Sequence, residues 1–140
     1  MEIQKTHLLA SQEVSDAMIR GDTQNYKWII EVKNIDGSTT NWKPTENDKV
    51  YFTCKKDYNS DVAFQKVYPG SITFNEENGE FHTTVEPKDT MKLDTGNYVY
   101  DIKIIKNAIN STPDSKRIVK TVAQGKIEIT SEVTTRKDEV

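Results

Sequence analysis

The strongest constraint on the fold is a run of alternating side chains in the last third of the chain. Every second position from 98 to 104 is aromatic or aliphatic: Tyr98, Tyr100, Ile102 and Ile104. Successive side chains of a β-strand point to opposite faces, so this spacing predicts a strand with one buried face. It is the longest run of its kind in the sequence, and we therefore expect a central strand.

The same period recurs in shorter segments that are separated by turn residues. Predicted strands cover residues 26–32, 50–55, 62–68, 71–75, 80–86, 98–105 and 116–130. Turns are expected at Asp36-Gly37, Pro69-Gly70 and Asn78-Gly79, and a bulge is expected at Gln124-Gly125. No helical run is long enough to cover a parallel sheet. The pattern predicts an all-β antiparallel sandwich of about 7 to 9 strands.

A chain of 140 residues is long enough to bury one self-sufficient core, so we expect one domain. Residues 1–22 show little alternation and only a weak helical pattern around Ala17 and Met18, and we interpret them as an N-terminal arm. The sandwich is expected over 23–133, with a charged tail over 134–140. The apolar residues of the arm are the candidates for assembly contacts: Leu8, Leu9, Met18 and Ile19.

Charge and composition exclude several classes of partner. The formal charge is -3 and the lysines are scattered, so no basic face is expected for nucleic acid. No apolar run reaches the roughly 18 residues of a membrane helix, and the N-terminus lacks a secretory signal pattern. We expect a protein made in the cytoplasm, with no membrane partner and no cofactor.

The only cysteine, Cys54, excludes an internal disulfide and a multi-cysteine zinc site. It lies in phase with the apolar residues of its predicted strand, so a core position is favoured over a nucleophile paired with His7 or His82. No catalytic residues and no enzyme activity are therefore predicted.

Three other motifs are interpreted as turns. Asp57-x-Asn59-x-Asp61 begins like a calcium loop but lacks the later glycine and glutamate, so no metal site is predicted. The tripeptide at 20–22 (RGD) is typical of a turn into the first strand. Glu76, Glu77 and Glu80 surround a predicted hairpin tip, where water disfavours the raised pKa that a catalytic carboxyl needs.

The segment Leu93-x-x-Gly96-x-Tyr98 resembles the tyrosine corner of immunoglobulin-like sandwiches, in which a tyrosine hydroxyl bonds to upstream backbone. On this alignment Leu93 closes the end of the core and Gly96 permits a tight approach. Tyr100 takes the position of a disulfide cysteine, and Cys54 is its expected unpaired counterpart.

The order of motifs extends this likeness along the chain. They are IRGDT at 19–23, DKVYF at 48–52, GEF at 79–81, PKDT at 87–90, LDTGNYVYDI at 93–102 and TVAQGKIEI at 121–129. This order resembles the N-terminal immunoglobulin-like domain of baseplate upper proteins from phages of Gram-positive bacteria, over roughly residues 19 to 134. The resemblance implies a structural protein that joins tail components, located in the virion when assembled.

We therefore expect a non-enzymatic assembly module of a phage or prophage tail, which contacts other baseplate proteins or copies of itself as a homo-oligomer. The alternative is a host-recognition module that binds a cell-surface carbohydrate or protein through loops at one end of the sandwich. The aromatics that fall outside the inward phase or on loops are the candidate ligand contacts: Trp42, Tyr51, Tyr58 and Tyr68.

Overall fold

The computed structural model describes residues 2–3, 9–10, 17–33, 36–106 and 117–133, and most of them lie in β-strands. The strands are β1 (Glu2–Ile3), β2 (Leu9–Ala10), β3 (Ala17–Ile19), β4 (Gln24–Trp28), β5 (Glu31–Lys33), β6 (Thr39–Asn41), β7 (Lys49–Lys55), β8 (Val62–Tyr68), β9 (Ile72–Asn75), β10 (Glu80–Val85), β11 (Gly96–Lys106) and β12 (Ile118–Thr130). A single turn of helix, α1 (Pro87–Thr90), lies between β10 and β11. The all-β class is confirmed.

The strands form a four-stranded sheet in the order β2-β4-β10-β9, a five-stranded sheet in the order β3-β12-β11-β7-β8, and a small sheet of β1, β5 and β6. All neighbouring strands run antiparallel except β3, which pairs parallel with β12. β11 is the middle strand of the five-stranded sheet, as its long alternating pattern predicts. The tail over 134–140 lies outside the described residues.

The two larger sheets share one core. Rings from the four-stranded sheet meet rings from the five-stranded sheet: Tyr26 lies 5.6 Å and Trp28 6.1 Å from Phe52, between ring centroids. The alternating positions expected to point inward on β7 are fully buried, as are Ile102 and Ile104 of β11. Inward and outward faces therefore follow the period-two pattern that the sequence predicts on these strands.

The segment predicted as one strand over 26–32 is divided between two sheets. Its alternate residues are all buried, but β4 pairs with β10 whereas β5 pairs with β6. At the break, the backbone N–H of Trp42 donates to the carbonyl of Ile30 at 2.6 Å. The chain keeps its burial pattern while it passes from one sheet to the next, which periodicity alone cannot reveal.

The helical pattern predicted around Ala17 and Met18, within the expected N-terminal arm, is wrong. Ala17 and Met18 lie in β3, which is a strand, and Met18 is buried in the core. The next turn is fixed by two contacts: the backbone N–H of Gly21 donates to Thr90 Oγ1 at 2.8 Å, and Arg20 pairs with Glu132 at 3.2 Å. Three residues are too few to show an alternating pattern, which is why the sequence does not predict this strand. Because β3 pairs with β12, the domain begins before the expected boundary at residue 23.

The expected bulge is displaced by two residues. The register between β11 and β12 shifts between Ile102 and Lys103, which leaves Val122 as the extra residue, and both Val122 and Ala123 are buried. Gly125 stands instead opposite Tyr100, where an added Cβ would lie 2.9 Å from ring atom Cε1. The glycine makes room for that ring, so it marks a close approach and not a bulge.

A buried ion pair attaches α1, which lies between β10 and β11, to the edge of the five-stranded sheet. Lys66 Nζ of β8 lies 2.7 Å from Asp89 Oδ2 in α1, and the side chains are 9% and 15% exposed. The same oxygen accepts the backbone N–H of Glu86 at 2.7 Å, which caps the helical turn. Asp89 therefore provides both the counter-charge for the buried Lys66 and a hydrogen-bond acceptor for the backbone at the start of α1.

We predict that Asp89→Ala lowers the free energy of unfolding by about 3 kcal/mol, because it leaves Lys66 buried without its counter-charge. Urea denaturation followed by tryptophan fluorescence measures the change. The control is Lys88→Ala, which removes the neighbouring exposed pair with Glu86 and should change stability by less than about 1 kcal/mol. Equal effects of the two substitutions would contradict the role assigned to the buried pair.

Candidate functional site

The segment that enters β11 forms a tight bend around Tyr98. The Tyr98 hydroxyl donates to the backbone carbonyl of Asp94 at 2.6 Å, four residues upstream. Gly96 has a φ of 135°, in the left-handed region, and Leu93 is half-buried against the core. Burial, and secondly the Asp94 carboxylate, raises the pKa of Tyr98. The hydroxyl is therefore a neutral donor that holds the bend.

The side chain of Lys56 covers one side of this bend. Lys56 Nζ lies 4.7 Å from the centroid of the Tyr98 ring, a distance typical of a cation–π contact. An added Cβ on Gly96 would lie 2.8 Å from the same Nζ, so the glycine also gives the lysine its space. The bend is a packed structural element.

Cys54 is not the counterpart of position 100 that the immunoglobulin comparison suggests. A disulfide of that type joins the two sheets, whereas Cys54 and Tyr100 are direct register partners on β7 and β11 of the same sheet. Burial raises the pKa of Cys54 to about 12. His82 lies on the other sheet and contacts Glu80 at 3.1 Å, and His7 lies outside the described residues. Cys54 is a protonated core side chain.

We predict that this thiol makes the protein sensitive to alkaline pH. An unfolded cysteine loses its proton near pH 8.5, so above that pH the unfolded state is favoured until the folded thiol also ionises. Between about pH 8 and pH 10 the wild type should lose about 2 kcal/mol more stability than Cys54→Ala. Urea denaturation at several pH values measures the difference. Parallel pH profiles, or rapid labelling of the native thiol at neutral pH, would contradict the assignment.

Two of the four candidate ligand-facing aromatics belong to the core. Trp42 is only 7% exposed and its ring stacks on Phe81 at 6.1 Å, so the expectation that it is an accessible aromatic outside the core is wrong. Its backbone bond to Ile30 turns the residue after β6 inward, a contact between distant segments that the local pattern does not show. Tyr68 is half-buried, with its ring edge-on to Phe81 at 6.0 Å. Tyr51 and Tyr58 remain accessible.

The candidate assembly residues also fall into different environments. Leu8 lies outside the described residues, and Leu9 belongs to β2 at the edge of the four-stranded sheet. Met18 is buried, whereas Ile19 is 46% exposed at the edge of the five-stranded sheet. These residues therefore do not form one described apolar surface.

The remaining motifs form turns. The side chain of Arg20 donates to the carbonyl of Leu93 at 3.1 Å as well as pairing with Glu132, so the tripeptide at 20–22 is held against the domain. Asp57 accepts the backbone N–H of Asn59 at 2.9 Å, and this bond lowers the pKa of Asp57. Within the described ranges, no group of three or more histidine, cysteine or acidic side chains could hold a metal ion.

The outer surface of the five-stranded sheet brings together residues that no single motif connects. We call the part of it formed by the following residues the Tyr51 face: Lys49, Tyr51, Lys55, Gln65, Asp101, Lys103 and Lys126. Each of them alternates along its strand with buried side chains. Tyr51 pairs in register with Lys103, and Asp101 pairs with Thr53 beside it. Strand pairing therefore brings together in one surface residues that are far apart in the sequence.

The Tyr51 face is cationic and has an apolar border. Its named residues include four lysines and one carboxylate, and among the described residues none of these five has an ion-pair partner within 4 Å. A second carboxylate, Glu128, lies two residues from Lys126 on the same outer surface. A shallow cavity of about 280 Å³ lies on it, lined by Tyr51, Lys103 and neighbouring side chains. Val62 and Val119, 48% and 57% exposed, lie toward opposite ends of the same sheet.

Comparison with known proteins gives little further information. No family model matches the sequence, and no curated protein matches it. Among solved structures, the chain is similar to Pseudomonas fluorescens alkylpurine DNA glycosylase AlkC bound to DNA containing an abasic site analog. The TM-score is 0.44 at 9% identity, with 92% of this chain and 30% of that chain covered. The chain thus spans under a third of that protein, and the likeness is too weak to bear on fold or function.

The described residues also contain no helix with the length and apolar character needed to cross a membrane.

Proposed function

We propose that this chain is an immunoglobulin-like sandwich. In such domains, strands A, B, E and D form one sheet, and strands G, F and C form the other, extended by C′ in variable-type domains. The orders β2-β4-β10-β9 and β12-β11-β7-β8 follow that arrangement. Tyr98 then lies near the start of the F-like strand β11, with its hydroxyl on upstream backbone. Strand order and corner support the same assignment.

We further propose that the chain is a non-enzymatic structural module of a phage or prophage tail, of the baseplate type, that acts through protein contacts. The observation that carries this proposal is the Tyr51 face. An aromatic at the centre of an exposed surface, bordered by polar and charged groups, is typical of protein interfaces. The motif order resembles that of baseplate upper proteins and is the basis for the proposed setting, in which the partner is another tail protein or a second copy.

The rigid support beneath the face favours this role. The strands that carry Tyr51 and Lys103 are neighbours in the middle of the sheet, and their inward residues are fully buried. The backbone of such strands is already ordered, so binding a partner does not add the cost of ordering a loop. The Tyr51 face therefore suits a repeated, rigid contact within a large assembly.

The test is incorporation into particles. Tail particles purified from a producing strain should contain the chain, and Tyr51→Ala combined with Lys103→Glu should lower its incorporation at least tenfold. Quantitative mass spectrometry of gradient-purified particles measures both results. The matched control is Tyr58→Ala combined with Lys43→Glu, which changes one exposed tyrosine and one exposed lysine outside the face. Absence of the wild-type chain from particles would contradict the proposal.

A second candidate function is binding of a cell-surface carbohydrate. The shallow cavity on the Tyr51 face places an aromatic ring near the Gln65 amide and the Asp101 carboxylate, which are side-chain types that can stack on and hydrogen-bond a sugar. A glycan array distinguishes this candidate. Specific retention that Tyr51→Ala abolishes and Tyr58→Ala preserves would favour carbohydrate binding over assembly.

A further inference from the structure

The β9–β10 turn presents two glutamates in a fixed conformation. The side chain of Asn75 accepts the backbone N–H of Glu77 at 2.9 Å, and the side chain of Asn78 accepts that of Glu80 at 3.0 Å. Glu76 and Glu77 are exposed, and neither has an ion-pair partner within 4 Å in the described part of the chain. The turn is therefore a preorganised acidic surface.

A shallow cavity beside this turn adds an apolar contact. Its volume is about 610 Å³, and its lining includes Phe74, Glu76, Glu77 and His82. Phe74 is half-buried, with its ring 4.8 Å from that of Phe81 in the core. We call the surface formed by Phe74, Glu76 and Glu77 the acidic turn. An incoming aromatic side chain could contact Phe74 there while cations meet the two carboxylates.

The acidic turn and the Tyr51 face cannot meet within one chain. The turn joins β9 and β10 of the four-stranded sheet, whereas the Tyr51 face is the outer surface of the five-stranded sheet. Phe74 pairs in register with Phe81 on the inner side of its sheet, so the acidic turn lies at one end of that sheet, whereas the Tyr51 face points away from the core on the other sheet. A contact between the two surfaces therefore needs a second molecule.

We propose that the Tyr51 face of one copy docks on the acidic turn of the next copy. This inference rests on the proposed assembly function and names the partner. Charge complementarity supports it: the formal charge of the chain is -3, so residues outside the lysine-rich Tyr51 face carry an excess of negative charge, and Glu76 and Glu77 are exposed among them. Lys55 and Lys103 line the same shallow cavity as Tyr51, and they oppose Glu76 and Glu77 while Tyr51 approaches Phe74.

The contact joins two different surfaces, so it is heterologous and leaves one free surface of each kind on every pair. Repetition of such a contact closes a ring if the rotation permits and otherwise extends a filament. A symmetric dimer through two Tyr51 faces would instead place lysines against lysines, which costs free energy. The proposal therefore predicts a head-to-tail series of copies and not a twofold dimer.

The test compares two charge-reversed variants in sedimentation velocity at low ionic strength. Wild-type chain should associate with increasing concentration, and the association should weaken in salt, which screens exposed charges beyond about 10 Å at 0.1 M. Lys55→Glu with Lys103→Glu, and separately Glu76→Lys with Glu77→Lys, should each weaken association at least tenfold. A mixture of the two variants should restore it, because each then meets a surface of opposite charge.

The matched control is Lys43→Glu with Lys92→Glu, which changes net charge by the same amount at exposed positions outside both surfaces and should associate like wild type. Circular dichroism checks that each variant is folded. A wild-type chain that stays monomeric at its highest soluble concentration would overturn the inference, as would variants that associate normally or a mixture that stays monomeric. If such a chain still enters tail particles, the assembly function stands and only the self-docking inference fails.

Discussion

The structure depends on the contacts of one phenylalanine ring. Phe52 lies in β7 with its centroid 5.6 Å from Tyr26, 6.1 Å from Trp28, 5.9 Å from Phe64 and 5.8 Å from Tyr100. All four contacts are edge-on, the geometry that places the positive edge of one ring against the negative face of another. Two of these partners belong to the opposite sheet, so this ring joins the two layers. The contacts of Phe52 with Tyr26 and Trp28 therefore help to fix the position of one sheet relative to the other.

Polar contacts fix the ends of the two larger sheets. Tyr98 holds the entrance of β11, and Arg20 holds the N-terminal turn against the C-terminal end of the described chain. Lys66 holds α1 against the sheet edge. These side chains make structural contacts, whereas the lysines of the Tyr51 face have no ion-pair partner within 4 Å in the described part of the chain. This difference in ion pairing is the reason for proposing the Tyr51 face as the candidate interface.

Much of the core follows from sequence because alternation reports burial directly. The inward residues of β7, β10 and β11 could be read from period two alone, and the acidic hairpin tip from its Asn-Gly turn. Trp42 and the bulge at Val122 could not, since each depends on which distant strand supplies the partner. The parallel strand β3 is too short to show a period. Residues of the Tyr51 face such as Tyr51 and Lys103 lie far apart in sequence and become neighbours only through strand register.

The central claim is that the two larger sheets unfold as one unit joined through Phe52, and native-state hydrogen exchange of Phe52→Leu tests it most directly. The loss of ring contacts should lower protection of slowly exchanging amides in β10 and in β11 by the same amount, about 1 to 2 kcal/mol. Equal losses in the two strands, although only β11 shares a sheet with residue 52, are the predicted result. A loss confined to the five-stranded sheet would contradict the account.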